Sequence, residues 1–374
     1  MRPCRSAALV ACMILAACDG TLTSSDERDT GARPDARGET DAFVSPDLDA
    51  RVPSDLDAYV APGVDAWAPT GPCATVTCGA NQRCDDATGA CICLPGFVDS
   101  GSSCTAAPPD DPSTRTSAQA CAIWSEAHRT TASSSWNEGA TECDGGSLPR
   151  EAIDDTLRRI TGYRALVGLG PVVDNPGLEA QQQACAVMMF RNGTLNHMPP
   201  MSFRCYTAEG AAGAGSSNLS LGTGTSADTI DLYVDDGGVS SLGHRRWVLN
   251  GPLGRVGIGF AGNAGCLSVF DGSGSTARTW ISWPPPGPAP QDTTTAWWSF
   301  HSTGGSISGA TVSMVRVADG MDVTGTVHAL PDGYGGSAVA WEPTERSVGS
   351  RYRVTVTGGA LGEISYEVEI VSCP

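Results

Sequence analysis

Apolar positions change their spacing along the chain, and each change predicts a different kind of element. Over residues 154–166, Leu157, Ile160 and Leu166 fall near one face at helical spacing, and the glycine-rich run 168–171 stops that helix. A second helix opens at Asp174-Asn175-Pro176, where a capping side chain precedes a proline in the first turn. Its apolar face holds Leu178, Cys185, Met188 and Met189, and Gly193 ends it. A short helix is expected from Ile230 to Val234, while the segment between Cys121 and Cys143 reads only as a lead-in. After Trp283-Pro284-Pro285-Pro286-Gly287 helical spacing disappears. Tyr352, Val354 and Val356 alternate, as do Ile364, Tyr366, Val368 and Ile370, which predicts short strands and a small β-sandwich over 291–374.

The amino-terminal end carries a different pattern. Two arginines precede an apolar run, residues 6–17, too short to span a bilayer, which is the pattern of a secretion signal. The run ends in Leu15-Ala16-Ala17-Cys18, which resembles the lipobox read by bacterial lipoprotein signal peptidase. That resemblance implies cleavage before Cys18, a lipid anchor on its sulfur, and the membrane as a partner. The expected location is the bacterial envelope, at the outer membrane or cell surface. Residues 19–72 are acidic and proline-rich with few large apolar side chains, so a disordered stalk is expected there.

Charge and cysteine content narrow the class further. A net charge of -18, with arginine and no lysine, argues against nucleic acid as a partner. Fifteen cysteines suit an oxidising compartment and disulfides, and the length calls for several domains. Six of them, Cys73, Cys78, Cys84, Cys91, Cys93 and Cys104, lie in a segment too short to fold without covalent staples. Cys91-Ile92-Cys93-Leu94-Pro95-Gly96-Phe97 followed by Cys104 resembles the end of an EGF-like module. The resemblance implies Cys73–Cys84, Cys78–Cys91 and Cys93–Cys104 pairing and, without an acidic motif before Cys73, a calcium-free spacer. A linker, 105–120, is expected to follow. For Cys121, Cys143, Cys185, Cys205, Cys266 and Cys373, local pairing is the simplest expectation: Cys121–Cys143, Cys185–Cys205 and Cys266–Cys373.

The region 121–290 carries the most informative motifs. Tyr163-Arg164-Ala165-Leu166-Val167-Gly168, then Gly193-Thr194-Leu195-Asn196-His197, resembles the opening half of a CAP domain, the superfamily of cysteine-rich secretory, antigen 5 and pathogenesis-related proteins. Gly243-His244-Arg245-Arg246-Trp247 and Val256-Gly257-Ile258-Gly259-Phe260 resemble its second half. The resemblance implies an α/β fold, an α-β-α sandwich, with His197 and His244 facing across a cleft and able to hold zinc or another divalent metal. Ser217 stands where the family has a glutamate, and Asp236 is the candidate for its second acid. With that glutamate gone, binding of a small ligand, metal or apolar, or of an extracellular protein or polysaccharide, leads. The alternatives are a metal-assisted hydrolase of peptides or envelope polymers and a structural adhesin. His128, His301 and His328 read as ordinary polar residues. In the alternative where His244 only caps its helix or binds a carbonyl, Arg245 and Arg246 would form ion pairs on the surface.

Overall fold

Between Cys73 and Cys104 there is too little apolar surface for a core, and three disulfides take its place: Cys73–Cys84, Cys78–Cys91 and Cys93–Cys104. This is the order implied by the EGF-like resemblance. They hold two hairpins, β1 (Gln82–Cys84) with β2 (Cys91–Cys93), and β3 (Phe97–Asp99) with β4 (Cys104–Ala106). The computed structural model describes residues 71–374 apart from 80, 86, 95, 295 and 296, so the expected secretion signal, Cys18 and nearly all of the expected stalk lie outside the described residues. The hairpins do not hang free as a spacer. Arg83 forms an ion pair with Asp154, and a Cβ on Gly96 would lie 2.6 Å from Thr161 Cγ2 and 2.7 Å from Pro171 Cβ. The backbone is pressed against the next part of the chain so closely that only glycine fits.

The expected lead-in contains a helix, α1 (Ser117–Ala127), started by a reciprocal capping box between Thr116 and Gln119. It packs on α2 (Arg150–Leu166), which begins four residues before the expected 154, just after its cap Pro149. Neighbours cover α2 on nearly every side, so most of its charged residues are buried as well as its apolar ones. Asp155 accepts from the backbone N–H groups of Thr131 and Ala132 and pairs with Arg158, while Arg159 pairs with Asp231. Such pairing is what makes buried charge tolerable.

After β5 (Val173–Asp174) comes α3 (Pro176–Asn192), capped by Asn175 and closed by Gly193 in the left-handed conformation, as its sequence predicts. Then follow α4 (Ala208–Gly215), β6 (Ser217–Leu221), α5 (Asp228–Asp235), α6 (Gly243–Val248), β7 (Arg255–Val256), β8 (Ile258–Ala261) and β9 (Ala264–Ser268). Strands β6, β9 and β8 form an antiparallel sheet in that order, and β5 pairs with β7. Alternation along these strands divides two cores. Leu219, Ala261, Ala264 and Cys266 pack with α3 and α4, whereas Ile258 and Leu267 join α2, α5 and α6. Contact with α3 is close enough that a Cβ on Gly259 would sit 2.1 Å from the Gln182 carbonyl oxygen.

The remaining strands are β10 (Trp280–Trp283), β11 (Gly287–Pro290), β12 (Trp298–Ser302), β13 (Thr311–Arg316), β14 (Thr326–Ala329), β15 (Ser337–Glu342), β16 (Arg351–Thr357) and β17 (Glu363–Val371). Two four-stranded sheets, β10-β12-β15-β14 and β11-β17-β16-β13, share one core containing Trp298, Phe300, Trp341, Tyr352, Val354 and Val368. The boundary expected at 290 therefore comes too late, since β10 and β11 pair into these sheets. The backbone changes partners before the helical core ends, because Ile281 and Trp283 still point into that core.

The three other disulfides correct the expectation of local pairing. They are Cys121–Cys373, Cys143–Cys205 and Cys185–Cys266. Proximity in space decides a bridge. Cys185 lies on the face of α3 that packs on β9, so Cys266 is its neighbour, and Cys205 is turned toward the Glu142–Cys143 segment. Among the described residues no helix is long and apolar enough to cross a membrane.

Candidate functional site

Both sequence-predicted histidines sit at the ends of elements and have one ring nitrogen committed. His197 follows α3 on the loop that Cys205 closes, and its Nδ1 lies 2.8 Å from the Ala214 carbonyl at the end of α4. His244 is in the first turn of α6, with Nδ1 2.7 Å from Asp236 Oδ1 and its ring stacked on Tyr233 at 5.5 Å. Asp236 is the left-handed residue that ends α5; it is buried, and its other oxygen accepts the Arg245 backbone N–H. The Asn218 side chain donates to the His244 carbonyl, which fixes the start of β6 against α6.

Ser217 does not join these groups. Its hydroxyl donates to Gln182 Oε1 on α3, an amide oxygen that cannot serve as a base, so Ser217 is no activated nucleophile. Nδ1 held by an oxygen is the posture in which a metal-binding histidine offers Nε2. Zinc needs at least three protein donors. Among the described residues the group of three such atoms within 4.8 Å of one another is Glu142, Cys143 and Cys205, and its cysteines are bonded to each other. His197, His244 and Asp236 thus fit zinc singly and not as a set.

Residues 157–270 match the model of the CAP, or cysteine-rich secretory protein, family. Over that part, less than half of its length, the chain is similar to a CAP domain. No curated protein and no solved structure matches it. Similarity to the CAP family and the six disulfides among the described residues are consistent with an extracellular or secreted protein.

Two features of the CAP domain were not legible as sites. One is the loop carrying His197, where Leu195, Met198 and Met201 are 40%, 80% and 83% exposed. The loop is nevertheless tethered. Asn192 exchanges hydrogen bonds with the Arg204 backbone, the Met198 N–H donates to the Asn196 side chain, and Cys205 is bridged to Cys143. Each apolar residue is unremarkable in sequence; only their common exposure marks the loop.

The other is the arginine pair of α6, which is buried rather than on the surface. Arg245 donates to the carbonyls of Val234, Asp235 and Trp297, and to the Ser299 hydroxyl. Burial pulls its pKa down to about 10, against the favourable pull of Asp236 and Asp235. Arg246 reaches the carbonyls of Ser241, Pro331 and Gly336 and lies over the Tyr334 ring. These arginines join the CAP domain to the carboxy-terminal sheets, and their neighbours hold the Asp236–His244 pair in place.

Proposed function

We propose that this chain is a secreted, envelope-displayed binding protein, lipid-anchored through Cys18, whose CAP domain takes an apolar ligand at the His197 loop. The observation that carries this reading is the exposure of Leu195, Met198 and Met201 on a loop held by a disulfide and side-chain bonds. Apolar side chains fixed in water are already ordered, so a ligand that covers them gains hydrophobic free energy with little further loss of entropy. The stalk would hold the domain away from the membrane. A fluorescent fatty-acid or sterol analogue titrated into the secreted chain tests the reading. Saturable binding should weaken at least tenfold when Leu195, Met198 and Met201 are all changed to serine, with the melting temperature unchanged. Binding that survives the triple change, or no saturable binding at all, rejects it.

The Asp236–His244 contact favours a second reading. A carboxylate on Nδ1 orients Nε2 as a base for water, as a hydrolase of peptides or envelope polymers would need. Turnover of such polymers by the purified chain, abolished in His244→Ala, would place this reading first.

A further inference from the structure

The loop that carries His197 runs over 194–206, between Gly193 at the end of α3 and Thr207, the cap of α4, and holds no helix or strand. One covalent tie reaches it, Cys143–Cys205. The Cys143 end of that tie is a firm anchor. Asp144 accepts the backbone N–H groups of Ala140 and Gly146, and the Gly145 carbonyl accepts from Trp136 Nε1 at 2.9 Å and from Gln183 Nε2 on α3 at 2.8 Å. The loop end is held less firmly. Phe203 and Tyr206 are only partly buried against the core of α3 and α4. What remains is polar contact at or near the surface: Asn192 with Arg204, Arg204 with Glu142, and His197 with the Ala214 carbonyl. Such contacts are individually weak in water.

The six bridges among the described residues differ in how a reductant can reach them. Cys185–Cys266 is buried at both ends, and Cys73–Cys84 and Cys93–Cys104 are each buried at one. Cys121–Cys373 is half-buried at both. Cys143 is exposed and Cys205 half-buried. Cys78–Cys91 is as open, but it lies in the small amino-terminal module. Cys205 also has φ +59°, in the left-handed region that costs any residue bearing a Cβ. Opening the bridge frees that residue to leave it.

We propose that Cys143–Cys205 is a redox latch on the His197 loop, opened by a dithiol while Cys185–Cys266 and Cys121–Cys373 stay closed, and that the open loop loses its apolar ligand. A thiolate of the dithiol attacks the exposed Cys143 Sγ, the S–S bond breaks, and its electron pair leaves on Cys205 Sγ, which takes up a proton. The second thiolate of the dithiol then displaces Cys143 Sγ from the mixed disulfide, and that sulfur is protonated in turn. The dithiol ends as a disulfide and the bridge as two thiols, an exchange of two electrons. Once the loop is free, Leu195, Met198 and Met201 are no longer ordered in advance, and a ligand that covers them must also order the chain. The loss of ligand rests on the reading of this loop as a binding site; the opening of the latch does not.

The test titrates dithiothreitol into the folded secreted chain, traps free thiols with iodoacetamide, and maps them by peptide mass. Amide hydrogen exchange over 194–206 and binding of the fluorescent fatty-acid analogue are followed on the same samples. Cys143 and Cys205 should be labelled at about tenfold less dithiothreitol than Cys121, Cys185, Cys266 and Cys373. Exchange over 194–206 should then quicken about tenfold, with α3 and β9 unchanged. Binding should weaken about tenfold and return on reoxidation, and Cys143→Ser with Cys205→Ser should reproduce the reduced state in the absence of dithiol. Labelling of Cys143 and Cys205 only together with Cys185 and Cys266 overturns the latch, as does labelling that leaves the loop's exchange unchanged. Full binding by the reduced chain or by the double serine variant overturns the regulation. If the oxidised chain binds no analogue, the binding reading fails, and labelling with exchange still decides the latch.

Discussion

His301 is buried, with Nε2 3.1 Å from the Ser299 hydroxyl, and burial, reinforced by Arg246 and Arg245, keeps its pKa well below 6.5. The folded chain therefore holds it neutral while the unfolded chain takes up a proton near pH 6.5. Its stabilising contribution is complete above that pH and is lost as pH falls toward the depressed folded value. Urea unfolding between pH 7.5 and 5 should show a loss of up to about 1.4 kcal/mol per pH unit from this group, and His301→Gln should flatten the slope. Arg245→Met is expected to cost about 3–5 kcal/mol in the same assay, because the carbonyls of Val234, Asp235 and Trp297 lose their donor. The sequence made His197, His244 and Asp236 visible as candidates, and Asp236 does hold His244. The alternative that put Arg245 and Arg246 on the surface fails, because the segments that bury them lie more than fifty residues further on.

Elements with local signals were legible. The Asn175 cap, Pro176 and Gly193 bound α3 as expected, and the alternation in β16 and β17 is that of strands with one face in a core. By contrast, α1 was missed although Thr116 and Gln119 spell its capping box, because its apolar residues do not fall on one clear stripe. The pattern of α2 was read as one buried face, whereas ion pairs bury its charged face too. Packing of α3 on β8 depends on Gly259. Gly259→Ala would drive a methyl into the Gln182 carbonyl and should cost about 2–3 kcal/mol. Gly170→Ala, where a Cβ meets open space, should stay within about 0.5 kcal/mol. Chemical denaturation of the pair separates close packing from a general intolerance of substitution.

Disulfide pairing across the whole molecule could not be read from spacing. Cys121 and Cys373 are 252 residues apart in sequence and bonded, because α1 lies beside β11, the strand that pairs with the final β17. Changing both to serine should lower stability by about 3–5 kcal/mol, since the bridge restricts the unfolded chain over a long loop. The small amino-terminal module is similarly part of the body. Arg83→Ala should raise proteolytic cutting between residues 73 and 115 without unfolding the rest, as the module loses its ion pair to Asp154.

The Cys121–Cys373 bond also sets the path of mechanical load. A pull applied between the amino-terminal side of Cys121 and the carboxy terminus runs through one covalent crosslink and bypasses every residue in between. Residues 122–372, with both carboxy-terminal sheets, would then bear no tension under such a pull. Reduction would transfer the whole load to their noncovalent contacts, so this one bond separates a chain that yields only near its amino-terminal end from one that unravels throughout.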